Sequence, residues 1–272
     1  MTAKHLSEVA LRDLFNLEAE RAIDRIQILQ EIDSTNSEAL RQIQAGNTEN
    51  RLVIAGAQTA GKGRRGRAWL SPKNSGIYLS LSRRFSQDAN ALQSLSLVTA
   101  ISVVQALQDL GATQLQLKWP NDVLHEGRKL AGILLELQHR AASRYVVFGV
   151  GVNRELSAET VSHIDRPATD LNSILGDSPA AVAVIAALLN RICANLMEYE
   201  SSGFAVFQDR WNLLDCYRMC DIVLHNGESR MIGKSLGVDA SGALLLENAQ
   251  GVQVIAGGEV FPSLRPLPDE IT

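Results

Sequence analysis

Cysteine is scarce: Cys193, Cys216 and Cys220 are the whole complement. An odd number with no repeating spacing excludes a disulfide framework. Cys216 and Cys220 are spaced to meet on one helical face, but two thiols do not close a tetrahedral zinc site. The five histidines are scattered and no HExxH occurs. Free thiols suit a reducing compartment, so a cytoplasmic location is expected. Long apolar runs are also missing. The longest uncharged one, residues 179–189, falls short of the ~18 residues of a membrane span and reads as a buried helix. Glu8, Arg12, Asp13 and Glu18 interrupt any signal-peptide core. No basic excess exists, with 26 basic residues against 30 acidic ones, so binding of a polyanion would need a local patch. Internal repeats and low-complexity linkers are lacking as well. What remains is a chain of 272 residues, 46% hydrophobic and 21% charged, with ample material for a core.

The order of periodic segments points to an α+β fold. Residues 6–17 place Leu6, Val9, Ala10, Leu14 and Leu17 on one helical stripe. Residues 51–55 form a short apolar run ending at Gly56, a buried strand by its texture. Residues 76–83 alternate as a strand, and 91–110 carry a long helical spine. Strands follow at 115–118, 129–137 and 145–152 without regularly intervening helices. That pattern favours a mixed or antiparallel sheet over a doubly wound one. Helices are expected over 179–199 and 204–214. From about Cys220 short β runs are separated by Asn226-Gly227, 239–242 and 248–251, the texture of a small SH3-like barrel. The expected units are 1–218 and 219–272.

Residues 56–66, GAQTAGKGRRG, pack Lys62, Arg64, Arg65 and Arg67 among Gly61, Gly63 and Gly66. Glycines permit close backbone approach and the cations neutralise phosphate. A solvated basic loop is the bland alternative. The segment nearly spells a P-loop, but Gly63 stands where Ser or Thr would hold Mg²⁺, and 64–67 start a helix poorly with Pro72 close behind. Nucleic-acid binding ranks below a nucleotide site, since Trp69 is the one nearby aromatic.

Other constellations are individually modest. Thr35-x-x-Glu38 reads as a capping box, although Ser34, Thr35 and Asn36 also cluster small donors and acceptors. Residues 118–122, KWPND, read as a turn leaving a strand, or as a Lys, a Trp and an acid at one ligand site. Lys129 opens an apolar strand with Gly132 three residues on, and is otherwise an ordinary strand-edge lysine. Residues 149–153, GVGVN, end a strand but lack the helix and spacing of a dinucleotide fingerprint.

Taken together, residues 31–36 (EIDSTN), 58–67 (QTAGKGRRGR), 118–122, 129–134 (KLAGIL) and 149–153 closely resemble the biotin protein ligase family. Residues 233–239 and 242–246 resemble its small barrel. The resemblance implies a mixed sheet flanked by helices, like class II aminoacyl-tRNA synthetases, followed by the SH3-like barrel. It implies formation of biotinyl-5'-AMP from biotin and ATP with Mg²⁺, then transfer to a lysine of a biotin carboxyl carrier protein. It assigns Ser34, Thr35, Asn36 and Gln58 to the ureido head, and Gly61, Lys62, Gly63 and Arg64 to the biotin and adenylate wall. Lys129 would meet the biotin carboxylate and the reacting phosphate, and Gly132 would let the ligand approach. Arg64, Arg65, Trp69, Asn121, Lys129 and Asn153 are expected around the nucleotide, with Trp69 alternatively in the core. Lys129, Arg64 and Asp122 are the catalytic candidates, Asp122 serving the acceptor amine or the nucleotide. The Mg²⁺ ligands are not assigned.

Lys62 departs from the arginine of many members, keeping the charge but losing the planar fork. Only about thirty residues precede Ile32, too few for the winged helix-turn-helix of the repressor members, so no specific DNA binding is expected. No membrane association is expected, and a homodimer is left open. Lipoate–protein ligase, a biotin-responsive DNA-binding protein and a P-loop hydrolase are the rival readings.

Overall fold

The computed structural model describes residues 6–85, 94–141, 143–164, 166–226, 229–255 and 263–266. A seven-stranded mixed sheet dominates. Its strands are β1 (Arg25–Leu29), β2 (Arg51–Ala55), β3 (Gly76–Phe85), β4 (Leu115–Lys118), β5 (Asp122–His125), β6 (Arg128–Arg140) and β7 (Ser143–Asn153). They lie in the order β1-β2-β3-β7-β6-β5-β4. β1 and β2 run parallel, and every other neighbouring pair is antiparallel.

The twofold side-chain period of β7 divides the molecule. Val146, Phe148, Val150 and Val152 face the main core, together with α4 (Leu95–Asp109) and α7 (Ala181–Ser202). Tyr145 and Val147 face the other way, onto Ala39 and Ile43 of α3 (Thr35–Gln44). Gly149 and Gly151 continue that second face. Helix α4 is apolar all round and buried between the sheet and α7, as such a helix must be. Its Thr99 and Ser102 hydroxyls donate to the carbonyls of Leu95 and Val98 at 2.7 and 2.8 Å, which satisfies them inside the core. Helix α7, with 22 residues, has the length and composition of a membrane span, yet 56% of its apolar window is buried inside the fold.

The N-terminal stripe expected over 6–17 is not one helix. The chain forms α1 (Glu8–Arg12) and α2 (Leu17–Ala22), broken between them. Asn16 explains the break: its side chain accepts from the Ala19 N–H at 2.9 Å and caps α2. Leu11 and Ala19 are buried, whereas Val9, Leu14 and Leu17 are exposed. The short strand β5, α5 (Ala158–Ser162) and α6 (Leu171–Leu175) were also not expected. The helix expected at 204–214 is a 3₁₀ turn followed by α8 (Gln208–Leu214). Residues 91–93 of the expected long helix, and Gly227 of the expected hairpin turn, lie outside the described residues.

Beyond α8 come β8 (Asp221–Asn226), β9 (Ser229–Val238), β10 (Leu244–Asn248), β11 (Gly251–Ile255) and β12 (Ser263–Pro266). They form an antiparallel sheet in the order β11-β10-β9-β8-β12. Its β9–β10 turn is held by Asp239, whose Oδ1 accepts from the Ser241 and Ala243 amides at 2.8 and 3.0 Å. The chain enters this sheet beside β4, where the Cys216 amide donates to the Leu117 carbonyl at 2.9 Å.

Asp215 stands at that entry, buried, with one oxygen accepting from the Tyr217 amide at 3.0 Å and the other unpartnered. Burial pushes its carboxyl up to about 6. The folded protein therefore holds a proton that the unfolded chain has released between about pH 4 and pH 6. Stability falls as pH rises through this window, by about 2–3 kcal/mol in all. Asp215→Asn should accordingly raise the melting temperature by a few degrees at pH 8 and leave it nearly unchanged at pH 4. Paired thermal melts at the two pH values check this, and an equal shift at both would remove the proton from the explanation.

Candidate functional site

The site lies on the α3 face of the sheet, where cross-strand registers line up small and polar residues. One row is Tyr78, Gly151, Gly132 and Asp122, on β3, β7, β6 and β5. The next is Ser80, Gly149 and Leu134. The glycines are spatial requirements here. A Cβ on Gly149 would collide with the Asn36 carboxamide, and one on Gly151 would lie 2.6 Å from the Trp69 ring.

Two segments cover these rows. The first is the start of α3. Ser34 caps the helix, accepting weakly from the Ser37 amide at 3.4 Å. The expected capping box one residue later does not form, because Glu38 turns to Arg41 and Gln42 instead. Ser34, Thr35 and Asn36 are all buried. Gln58 Oε1 accepts from the Thr35 amide at 2.9 Å, while its Nε2 donates to Ser71 Oγ at 2.8 Å. Ser71 passes its own proton to the Trp69 carbonyl at 2.9 Å.

The second segment is the glycine-rich loop, which folds as an irregular hairpin. The Gln58 amide donates to the Ser71 carbonyl at 3.0 Å and the Trp69 amide to the Gly61 carbonyl at 2.9 Å. A Cβ on Gly61 would strike the Trp69 carbonyl, which explains that glycine structurally. No phosphate-loop helix follows: residues 64–66 make a single 3₁₀ turn, with Arg65 at φ 59°. The return strand lays Trp69 across Gly132 and Gly151, with Lys129 Nζ 5.2 Å from its ring centre.

Lys129 is the centre of the arrangement. Its Nζ donates to Asp122 Oδ1 at 2.6 Å. Burial lowers its pKa, and the charge of Asp122 opposes that shift. Arg64 donates to Asn121 Oδ1 at 3.0 Å, and burial brings its guanidinium down to about 10. Asn121 in turn donates to the Ile133 carbonyl at 2.8 Å, which fixes its side chain to β6.

Two cavities meet at these residues. The smaller, about 60 Å³, is lined by Ser34, Thr35, Asn36, Gln58, Lys62 and Gly132 among others. The larger, about 380 Å³, is lined by Arg65, Arg67, Lys118, Asp122 and Asn153, with His163, Ile164 and Arg166 on its far wall. Gly63, Arg64, Trp69, Asn121 and Lys129 line both. The expected residues are thus brought together, except Gly61, which supports the loop and lines a third groove on its outer side. Asn153 has a further structural duty, donating to the Lys129 and Thr169 carbonyls at 3.2 and 3.0 Å. Lys118, read from the sequence as part of a turn or of a ligand site, lines the larger cavity, whereas His163, Ile164 and Arg166 were missed. The last three follow α5, in a stretch with neither periodicity nor a recognisable motif.

A narrow polar pocket joined to a cationic one through a shared lysine suits a small polar-headed acid and a nucleotide. Residues 28–153 match the model of the biotin/lipoate A/B protein ligase family. The chain is 34% identical over 239 residues to the bifunctional ligase/repressor BirA of Escherichia coli (strain K12), covering 86% of this chain and 73% of that protein. It is 36% identical over 244 residues to the biotin–[acetyl-CoA-carboxylase] ligase of Paracoccus denitrificans, covering 86% of this chain and 99% of that one. This chain belongs to the biotin protein ligase family. Its fold also matches the biotin protein ligase of Aquifex aeolicus, solved in complex with biotin and ATP, with a TM-score of 0.77 and 31% identity over 90% of this chain and 100% of that one. The mixed sheet with flanking helices and the small C-terminal β unit expected from the sequence are therefore the family architecture.

Proposed function

We propose that this chain activates biotin with ATP to biotinyl-5'-AMP and transfers the biotinyl group to a lysine of a carboxyl carrier protein. The observation that carries the reading is the meeting of the two cavities at Lys129. The small cavity presents hydroxyls and amides, suited to a ureido head, and the large one presents cations, suited to a nucleotide. A carboxylate held at their junction attacks the α-phosphorus of ATP. The new bond is carboxylate oxygen to phosphorus, and pyrophosphate leaves with its bridging oxygen. Two anions must approach, so Lys129 and Arg64 stabilise the charge that builds there.

Mg²⁺ accompanies ATP in this reading. Among the described residues no cluster of three His, Cys, Asp or Glu could hold a metal ion, and Asp122 is the one carboxylate lining the larger cavity. That set fits an ion carried by the nucleotide's own phosphates, as Mg²⁺ commonly is, with Asp122 close to them. In the second step the acceptor amine attacks the mixed anhydride and AMP departs. Asp122 orients that amine in our reading, and residues 1–218 form the unit that binds both substrates, with 219–272 a second unit beside it.

The test is pyrophosphate release from ATP and Mg²⁺ with biotin, with lipoate, and with neither. Biotin-dependent release is expected. Lipoate-dependent release alone would move the chain to the other branch of its family, and release without either acid would indicate a nucleotide hydrolase. Arg64→Gly should speed escape of the adenylate about tenfold, because the arginine closes the wall common to both cavities. Single-turnover release measurements check this, and an unchanged escape rate would remove Arg64 from retention.

A further inference from the structure

Glu136 belongs to none of the motifs that mark the site. It lies on β6, paired with Val147 of β7, one step beyond the Leu134–Gly149 pair. Its Oε2 accepts from Asn36 Nδ2 at 2.8 Å. Glu136 borders the outer groove of about 780 Å³ and not the small cavity, so it reaches the binding pocket only through Asn36.

That single contact has consequences along a chain of hydrogen bonds. A carboxylate is acceptor-only, so it selects the amide nitrogen of Asn36, which also reaches the Leu134 carbonyl more weakly at 3.4 Å, and turns Oδ1 the other way. Oδ1 then faces Ser80 Oγ at 2.5 Å. An amide oxygen cannot donate, so Ser80 gives its one proton to Asn36. The Ser80 oxygen also lies 2.7 Å from Thr35 Oγ1, and with its own proton committed it can only accept there. Thr35 therefore turns its proton to Ser80, with the acceptor Gln58 Oε1 at 3.2 Å on the same side, and leaves its lone pairs for the pocket. Gln58 is fixed independently, by the Thr35 amide on one side and Ser71 on the other.

We propose that Glu136 is a positioning residue that sets the donor–acceptor polarity of the biotin pocket through Asn36, Ser80 and Thr35. The proposal rests on the reading of the small cavity as the ureido site. A ureido group offers one carbonyl acceptor and two N–H donors, so a pocket with its polarity reversed presents unlike groups to none of them. Ser80 is fully buried and Asn36 nearly so, and no water can substitute freely for the missing direction.

Glu136→Ala should weaken biotin binding in calorimetry by about tenfold or more, with the KM for ATP and the kcat of adenylation close to wild type. Glu136→Gln keeps a carbonyl acceptor toward Asn36 Nδ2 and should recover most of the loss. The decisive pair conserves volume. Asn36→Asp sets two carboxylates against each other and should weaken biotin strongly. Adding Glu136→Gln restores a donor opposite an acceptor, leaves an oxygen toward Ser80, and should regain most of the affinity. If Glu136→Ala lowers the melting temperature sharply, this pair decides the matter. Wild-type biotin affinity in Glu136→Ala, or no rescue of Asn36→Asp by Glu136→Gln, overturns the proposal. Failure of the wild-type protein to bind biotin at all overturns the functional reading itself, and is distinguishable because no variant is needed to see it.

Discussion

Lys129→Ala is expected to lower biotin-dependent pyrophosphate release by about a hundred- to a thousandfold, the usual cost of removing a preorganised charge from a reacting phosphoryl group. Lys129 is the cation both cavities share in company with a carboxylate, 2.6 Å from Asp122 and stacked over Trp69. The variant also strands Asp122 as a buried acid without its cation, so lost stability could imitate lost chemistry. Adding Asp122→Asn separates the two effects. The double variant should regain the melting temperature and remain inactive in adenylation. Adenylation restored along with stability would show that Lys129 acts only by holding the fold.

Gly149→Ala should abolish measurable biotin affinity at ordinary concentrations, a loss of about a hundredfold or more, although it adds only one methyl group to the wall of the small cavity. That methyl occupies the place of the Asn36 carboxamide. Overpacking of this kind costs about 1–3 kcal/mol, and Asn36 is the side chain able to yield. Combining Asn36→Ala with Gly149→Ala removes the clash and should return the melting temperature without returning affinity. Calorimetry and thermal melts on the three variants check this. Biotin affinity near wild type in Gly149→Ala would mean that Asn36 is not needed where the structure puts it.

Much of the site was legible because its parts are short, contiguous and chemically unusual. The glycine-rich basic loop, KWPND and Lys129 with Gly132 each carry their meaning within a few residues. The P-loop likeness fails in the structure for one of the reasons visible in the sequence, since residues 64–66 make a single 3₁₀ turn and not a helix. What escaped, or stayed open between nucleotide wall and core as for Trp69, was non-local. The role of Trp69 depends on the loop doubling back from Gln58 to Ser71, and on glycines from two other strands that leave space for the indole. Glu136 sits in an ordinary apolar strand and acquires its partner from a helix 100 residues earlier. Strand β5 has only four residues and hid behind the turn that precedes it. At the N-terminus the apolar spacing suggested one helix, but the Asn16 cap outweighed the spacing, because a capped end satisfies backbone donors that a stripe of exposed leucines cannot.

The wall common to the two cavities has a thermodynamic meaning. Five residues line both cavities, so in the proposed reading settling one ligand there alters what the other finds. Whatever factor biotin applies to the affinity for ATP, ATP must apply to biotin, since the coupling free energy belongs to the pair. The joined product stands differently again. It spans both compartments while giving up translational and rotational freedom only once, so it is held far more tightly than either precursor. The same wall that brings two anions together thereby makes the reactive anhydride the tenant least inclined to leave before an amine arrives.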